Sequence, residues 1–408
     1  MIYRSCCTAK EGEVDRISAL PEPILQHILS FLPFKEAAHA SLLSKKWKEA
    51  WDTLPVLSFD ESVFTLDLWD LKPEQSDDKP SRVRRRKKKL FERLEKILEK
   101  RRKELISIDK LSIYIEVSNQ KEFLSFVDRC TCYAIESNVK ELKFEFGTLG
   151  RIWYNVPGSI FQAHSIDILK LSGCKLELLR SNVKLNSLRK LCLEYVYAEN
   201  YAVENFLGGC PSIEELLLSS CKGFKILELF NVVKLNTIKL RCSSQLEQVE
   251  INALNVHFIE LSDISVQCEF NLTACKNLKS LKLRYLLVSD EWLYNQVSEL
   301  PVLEYLNITW CMKLRAIFIA SSRLKRLSIG TCKKLFEIKI EAPNLTSFKY
   351  DGEMISFSSN TPDTILETDL FLDSQKMGTR WYAKYIELLA KFNRSSTMMN
   401  LRSEIGQV

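Results

Sequence analysis

Ten short apolar motifs recur along this 408-residue chain at nearly constant spacing, and that spacing constrains the fold more than any other feature. Their central residues are Leu142, Leu169, Leu191, Leu216, Ile238, Ile259, Leu281, Leu306, Leu327 and Phe348, with gaps of 27, 22, 25, 22, 21, 22, 25, 21 and 21 residues. One such motif means little where 46% of residues are apolar. A sustained short period is different, because it marks units too small to bury their own apolar face, which they bury by stacking on their neighbours. Within each motif apolar residues alternate, the pattern of a strand with one buried face. A second series, Leu227, Val249, Ile317 and Ile338, follows a principal motif by 11 residues each time. Each unit therefore has two apolar edges, and the principal strands are expected to form one parallel sheet along the concave side of a solenoid. The shorter gaps leave room for short convex strands rather than long helices.

This is the period of a leucine-rich repeat. It also accounts for several of the thirteen cysteines. Cys174, Cys221, Cys311 and Cys332 each fall three positions after the last apolar residue of a motif, where the repeat turns the chain and accepts Asn or Cys, and Cys242 falls one position early. Reduced thiols in structural positions are the expectation, with no metal site, since no paired CxxC or Cys/His spacing is present. Lys121 to Glu136 reads as a helix that helps cap the first strand. After Asp351 the period stops. Ser356 to Asp363 reads as a loop, Trp381 to Phe392 as a helix and Thr397 to Leu401 as a short strand, so that 352–408 would cover the open end of the array.

Ahead of the repeats, Asp15 to Pro55 reads as three short helices. Pro23 suits a first helical turn, with Ile24, Leu25, Ile28 and Leu29 forming one apolar stripe that Leu32 and Pro33 end. A second helix from about Lys35 carries Ala37, Ala38 and Leu42. Ser44 is placed to cap a third, whose Trp47, Trp51 and Leu54 share a face. A unit of about forty residues is marginal alone and tends to lean on a partner. The strings Asp15-Arg16-Ile17-Ser18, Leu20-Pro21, His27-Ile28-Leu29-Ser30-Phe31-Leu32-Pro33 and Leu43-Ser44-Lys45-Lys46-Trp47 resemble the F-box of the plant F-box/leucine-rich-repeat family. That resemblance implies docking on a Skp-type adaptor and, through it, on cullin and RING subunits. By position, Leu20, Pro21, Ile24, Leu25, Ile28, Leu29, Leu32, Pro33 and Trp47 would form or support the docking face. Ala40, Lys46 and Lys48 depart mildly from the pattern. The same apolar residues would also serve as the core of a bare three-helix unit.

Between these regions, Leu71 to Ser81 reads as a polar linker, followed by the basic run Arg82 to Lys89. Lys79 to Lys103 holds fourteen basic and three acidic residues, so the chain's net charge of +6 is a local property. The run fits a nuclear import signal. It fits equally the solvated face of an amphipathic helix, because Leu90, Leu94, Ile97, Leu98 and Leu105 follow at helical spacing. Nucleic-acid binding is disfavoured by the absence of interleaved aromatic residues. With no apolar run of membrane-spanning length and no leader-like start, the expected location is nucleus or cytoplasm.

Catalytic chemistry is missing from the pattern. The four histidines, at 27, 39, 164 and 257, suggest no acid/base or metal pairing, and no phosphate-binding glycine loop occurs. No catalytic residue, cofactor or metal is expected, and the sequons at Asn271, Asn307 and Asn344 read as chance strings. What remains is a surface. In each motif the residue between the last two apolar positions, and the one after them, should point outward from the concave sheet, from Lys143 and Glu145 to Lys349 and Asp351. Lys239, Arg241, Lys282 and Arg284 then form a basic zone around Glu260, fitted to an acidic or phosphorylated target segment; an ordinary solvated sheet face would have the same composition.

The sequence thus predicts an α/β chain: a flexible N-terminus (1–14), a short three-helix F-box (15–55), a linker with a basic helical segment (56–103), a leucine-rich-repeat solenoid (104–351) and a C-terminal cap (352–408). Two functions suit it, a substrate-recognition adaptor of a Skp-cullin-F-box ubiquitin ligase, or a nuclear interaction scaffold without ligase function.

Overall fold

The structure is a computed structural model that describes residues 17, 19–60, 79–116, 121–147, 153–177, 183–199, 202–265, 267–359, 365–373, 379–391 and 396–402. The N-terminal segment 1–14 and the linker residues 71–78 lie outside these. Two compact units make up the chain, Met1–Ile152 and Trp153–Val408.

The first unit begins with helices α1 (Glu22–Ser30), α2 (Phe34–Ala40) and α3 (Lys45–Asp52). Prolines start two of them: Pro21 and Pro33 are the N-caps of α1 and α2, and Pro23 lies in the first turn of α1. Ser44 caps α3, its Oγ accepting the Trp47 N–H at 3.4 Å. Leu42, expected within α2, lies beyond its end and is 81% exposed. The core is Leu25, Leu29, Ala37, Trp47, Ala50, Trp51 and Leu54. A polar clasp joins the first helix to the end of the third, with Thr53 Oγ1 donating to Glu22 Oε1 at 2.6 Å and accepting from Gln26 Nε2 at 2.9 Å.

Strand β1 (Val56–Asp60) follows at once, so these residues are sheet rather than the start of a linker. It pairs in parallel with β2 (Lys110–Glu116), which pairs with β3 (Glu141–Gly147), bringing Leu57, Leu111 and Leu142 into one row. The connections are helices α4 (Lys79–Lys103) and α5 (Lys121–Glu136). Helix α5 is therefore a crossover between two strands and not the cap of the first one. The described part of α4 buries Phe91, Leu94, Leu98 and Arg101, a helical stripe, and Leu105, placed on that stripe in the sequence, is 90% exposed where the chain turns at φ 55°. Edge-to-face aromatic contacts link the elements: Phe34 with Trp51 (4.9 Å) and Phe59 (5.0 Å), then Phe126 with Phe59 (5.8 Å) and Phe91 (4.9 Å).

In the second unit the principal strands stack in parallel. They are β5 (Ile168–Ser172), β7 (Lys190–Glu194), β9 (Glu215–Ser219), β11 (Thr237–Arg241), β13 (Phe258–Ser262), β15 (Ser280–Arg284), β16 (Tyr305–Thr309), β18 (Arg326–Gly330), β20 (Ser347–Gly352), β22 (Glu367–Asp373) and β23 (Ser396–Arg402). The nine series residues from Leu169 to Phe348 stand opposite one another in an unbroken row, so the sequence period is the strand register itself. Short strands carry the half-period series: β4 (Tyr154–Asn155), β6 (Cys174–Leu176) and β8 (Tyr197–Ala198); β10 (Ile226–Phe230), β12 (Gln248–Asn252) and β14 (Glu269–Asn271); β17 (Ala316–Ala320), β19 (Glu337–Glu341) and β21 (Ser356–Ser359). Leu227 pairs with Val249, and Ile317 with Ile338.

Gap length decides the convex element. The shortest gaps in the series leave space for a short strand, whereas the two gaps of 25 hold a helix: from Leu191 to Leu216, α6 (Ala202–Gly208) follows the short strand β8, and from Leu281 to Leu306, α7 (Asp290–Ser298) takes the place of a short strand. These helices cover the edges of the short sheets, whose unpaired N–H groups would otherwise lie open. Asp290 accepts the N–H groups of Arg315 and Ala316 at 2.9 and 3.2 Å, Gln296 that of Leu272 at 2.9 Å and Glu204 that of Glu228 at 3.1 Å.

After each principal strand from β5 to β18 one residue takes a positive φ, among them Tyr195, Cys242, Tyr285 and Trp310, while its N–H donates to a carbonyl at the end of the next principal strand. The residue after it turns inward. Cys174, Cys221, Cys311 and Cys332 occupy that inward place, the thiol of Cys221 lying 3.4 Å from the Leu193 carbonyl oxygen. Cys242, one position early, sits in the turn itself and is exposed; Ser243 takes the buried place, its Oγ 3.2 Å from the Arg241 carbonyl oxygen. All eleven described cysteines are free.

The array does not stop at Asp351. Strands β22 and β23 extend the same sheet, with Phe348 opposite Thr368 and Thr368 opposite Thr397, and helix α8 (Thr379–Lys391) connects them. Ser356–Ser359, read as a loop, is a convex strand paired with β19. The period is hidden because a fully buried threonine, Thr368, stands where the motif requires an apolar residue.

Candidate interaction surfaces

The nine residues assigned to the helical module's docking face divide into three groups of three. Leu25 and Leu29 are 1% exposed and Trp47 is 6% exposed, so they form the core that holds the face. Leu20, Ile28 and Leu32 are half-buried against that core, while Pro21, Ile24 and Pro33 are exposed. Three further residues belong with the exposed group: Phe31, Leu42 and Leu43, at 74%, 81% and 70% exposure. Periodicity passes over Phe31 and Leu43 and puts Leu42 within the second helix, because each lies in a connection between helices, where helical spacing carries no sign of facing. A folded unit of this size that leaves so many large apolar side chains in water has the surface of a protein that binds another.

On the concave sheet of the second unit, the register places Lys239, Glu260 and Lys282 side by side on β11, β13 and β15, with Arg241, Ser262 and Arg284 in the adjoining row. Glu260, expected to point into solvent, has a side chain only 8% exposed. Concave curvature crowds the row, and Arg241 closes over the carboxylate, its Nη2 and Nε lying 2.8 and 2.9 Å from Glu260 Oε1. Cys192 and Gly330, from the same outward pattern, are buried likewise. The first residue of each strand also faces outward, one position that the sequence pattern does not include. This row contributes Phe258, Tyr305 and Arg326. The Lys239 and Lys282 ammonium groups lie 5.5 and 5.3 Å from the Phe258 ring centroid, and the Arg326 guanidinium 5.2 Å from that of Tyr305. At the strand ends Tyr285 and Trp310 stack at 5.4 Å and 18°. Among the described residues, no carboxylate lies within ion-pairing distance of Lys239, Lys282, Arg284 or Arg326.

No group of three or more His, Cys, Asp or Glu side chains that could hold a metal occurs among the described residues, and no described helix is long and apolar enough to cross a membrane. The basic run Arg82–Lys89 lies within α4.

Comparison with known proteins bears on both surfaces. Residues 17–59 match the F-box domain, and residues 97–270 and 256–389 match the At1g61320/AtMIF1, LRR domain family. Similar proteins from Arabidopsis thaliana include Putative F-box/LRR-repeat protein At3g18150, 26% identical over 88% of this chain and 73% of its own length, and Putative F-box/FBD/LRR-repeat protein At4g13965, 25% identical over 94% and 88%. F-box/LRR-repeat protein At3g59200 is 32% identical over 61% of this chain but only 46% of its own length; the chain spans less than two thirds of several such relatives.

Proposed function

Because this chain belongs to the plant F-box/leucine-rich-repeat family, we propose that it is the target-recognising subunit of a Skp-cullin-F-box ubiquitin ligase. In this reading the helical module docks on a Skp-type adaptor held by cullin and RING subunits, and the repeat array holds a protein target. The chain itself performs no chemistry. It raises the effective concentration of target lysines near a separately bound conjugating enzyme, so that positioning does the catalytic work. The observation that carries this is the division within the module: Leu25, Leu29, Ala37, Trp47 and Trp51 already complete a core, and Ile24, Phe31, Leu42 and Leu43 are left outside it. A bare three-helix unit has no need of those four.

Co-purification with a Skp-type adaptor tests the reading. The wild-type chain should retain the adaptor, and Leu20→Ala with Pro21→Ala should lose most of it. Phe31→Asp should do the same without changing the melting temperature, since its side chain supports no core. A wild-type chain that recovers no adaptor would defeat the proposal.

The basic run on α4 favours a second reading, a nuclear interaction scaffold that uses the run as an import signal. Location in nucleus or cytoplasm is part of either proposal. Deleting Arg84 to Lys89 in a fluorescent fusion should shift the protein out of the nucleus; an unchanged distribution would rule out the import signal.

A further inference from the structure

From the concave geometry we infer that the target is captured through a phosphorylated segment, with Lys239 and Lys282 receiving the phosphate above the Phe258 ring. The inference rests on the reading of the array as the target-binding half of the protein.

Two like charges are the first reason. Lys239 and Lys282 come from strands on either side of β13, and their ammonium groups converge on one ring, at 5.5 and 5.3 Å from its centroid. Lys282 also reaches the Tyr305 ring, at 5.9 Å, where Arg326 sits at 5.2 Å. Surface cations ordinarily interleave with carboxylates. Here the carboxylate on the strand between them, Glu260, is buried and held by Arg241. Lys239, Arg241, Lys282, Arg284 and Arg326 against Glu260 leave a net charge of +4. A phosphate group carries about −1.5 to −2 charges at neutral pH and three acceptor oxygens, so it answers two converging ammonium groups better than one carboxylate does.

The extent of the patch is the second reason. It runs from β11 to β18, four strand spacings or about 19 Å, which an extended segment of about six residues spans. Beyond it the outward face turns net acidic: Glu194 and Glu215 outnumber Lys190, which pairs with Glu215, on β7 and β9, and Asp351, Glu367 and Asp369 outnumber Lys349 on β20 and β22. A nucleic-acid strand needs a basic track for successive phosphates and would meet repulsion at both ends. A short peptide with one phosphate fits between them. The exposed face of the Tyr285 and Trp310 stack, beside Arg284, offers an apolar or aromatic residue of that peptide a place to lie.

The test uses the full chain purified with its adaptor and fluorescent peptide pools that fix one central phosphoserine among random flanking residues. Matching pools carry serine or glutamate instead, and a twelve-residue oligothymidine serves as the nucleic-acid probe. At physiological salt the phosphoserine pool should bind at least tenfold tighter than the serine pool and tighter than the glutamate pool. Lys239→Ala with Lys282→Ala should erase that preference, while Lys239→Arg with Lys282→Arg should keep most of it. Equal binding of the three pools by the wild type, or tighter binding of the oligonucleotide, overturns the inference whatever the variants do. Adaptor co-purification in the same samples keeps the two ideas apart. If adaptor is retained without phosphate preference, this inference fails and the ligase reading stands; phosphate preference without adaptor supports the phosphate site and defeats the ligase reading.

Discussion

The guanidinium of Arg101, on α4, donates to the main-chain carbonyl oxygen of Trp51 at 3.4 Å and to that of Leu54, where α3 ends. It is 3% exposed. A charged donor thus meets the partial negative charge of a helix C-terminus and satisfies carbonyls that α3 leaves open. Through it the helical module and the first strands of the array are parts of one packed unit.

Removing that donor should therefore cost more than a surface charge does. Arg101→Met is expected to destabilise the chain by about 2 to 4 kcal/mol, because buried carbonyls lose their partner. Hydrogen exchange should rise across residues 45–60, and Arg101→Lys, with one compact donor group, should recover only part of the loss. Unchanged protection in this segment would show that the aromatic contacts alone hold the module.

The turns after the strands predict substitutions of opposite sign. Gly223 has φ 98°, and a Cβ there would lie 2.3 Å from the Ala198 carbonyl oxygen. Gly223→Ala should cost at least about 2 kcal/mol. Cys242 occupies a left-handed turn at φ 50° with its side chain exposed, so Cys242→Gly should stabilise by about 0.5 to 1 kcal/mol. Denaturant midpoints of the full chain measure both.

Thiol reactivity should follow position in the repeat. Burial pushes the Cys221 thiol up to about 12 and raises Cys174 further, whereas Cys132 and Cys242 are exposed. Iodoacetamide at pH 8 should label Cys132 first among the described cysteines. Cys242 should lag, because partial burial and then the Asp263 carboxylate raise its pKa. Cys174 and Cys221 should react only after unfolding. Mass spectrometry of labelled peptides over time reads the order, and early labelling of Cys221 would contradict the inward turn.

Acid should loosen the chain through its paired carboxylates. Burial raises the pKa of Asp52, but hydrogen bonds from Lys48 and Lys100 outweigh it and hold the group low; Arg189, Lys276 and Lys325 lower Glu214, Glu299 and Glu304. Such groups contribute fully above the unfolded carboxylate range and lose their contribution as pH falls through the depressed folded values. Glu204, raised by burial, works in the opposite direction. The melting temperature should fall below about pH 4.5, and Asp52→Asn should flatten part of the decline. The exposed pairs are screened by salt, so the slope should shrink at high ionic strength.

Most of the solenoid was legible because its information is local. Alternation within five residues marks a strand, and repetition of that pattern sets the register, as the row from Leu169 to Phe348 shows. Legibility failed where one residue broke the pattern or a long insertion stretched the period. Thr368 hid β22, and the 25-residue helix α4 separates β1 from β2. In the helical module, Phe31 and Leu43 escape detection and Leu42 is misplaced in a helix for a related reason: spacing identifies a shared helix face, and connections have none.

By itself the sequence determined the repeat period, the buried face of each strand from Leu142 to Phe348 and the three-helix module ahead of them, because each depends on residues near one another in the chain. Only the tertiary structure decided which apolar residues of the module remain in water, and which side chains meet across the concave sheet. Lys239, Phe258 and Lys282 belong to three different strands, β11, β13 and β15, each a full repeat from the next. Their convergence depends on stacking and curvature, which bury Glu260 under Arg241 and leave the lysines without a carboxylate.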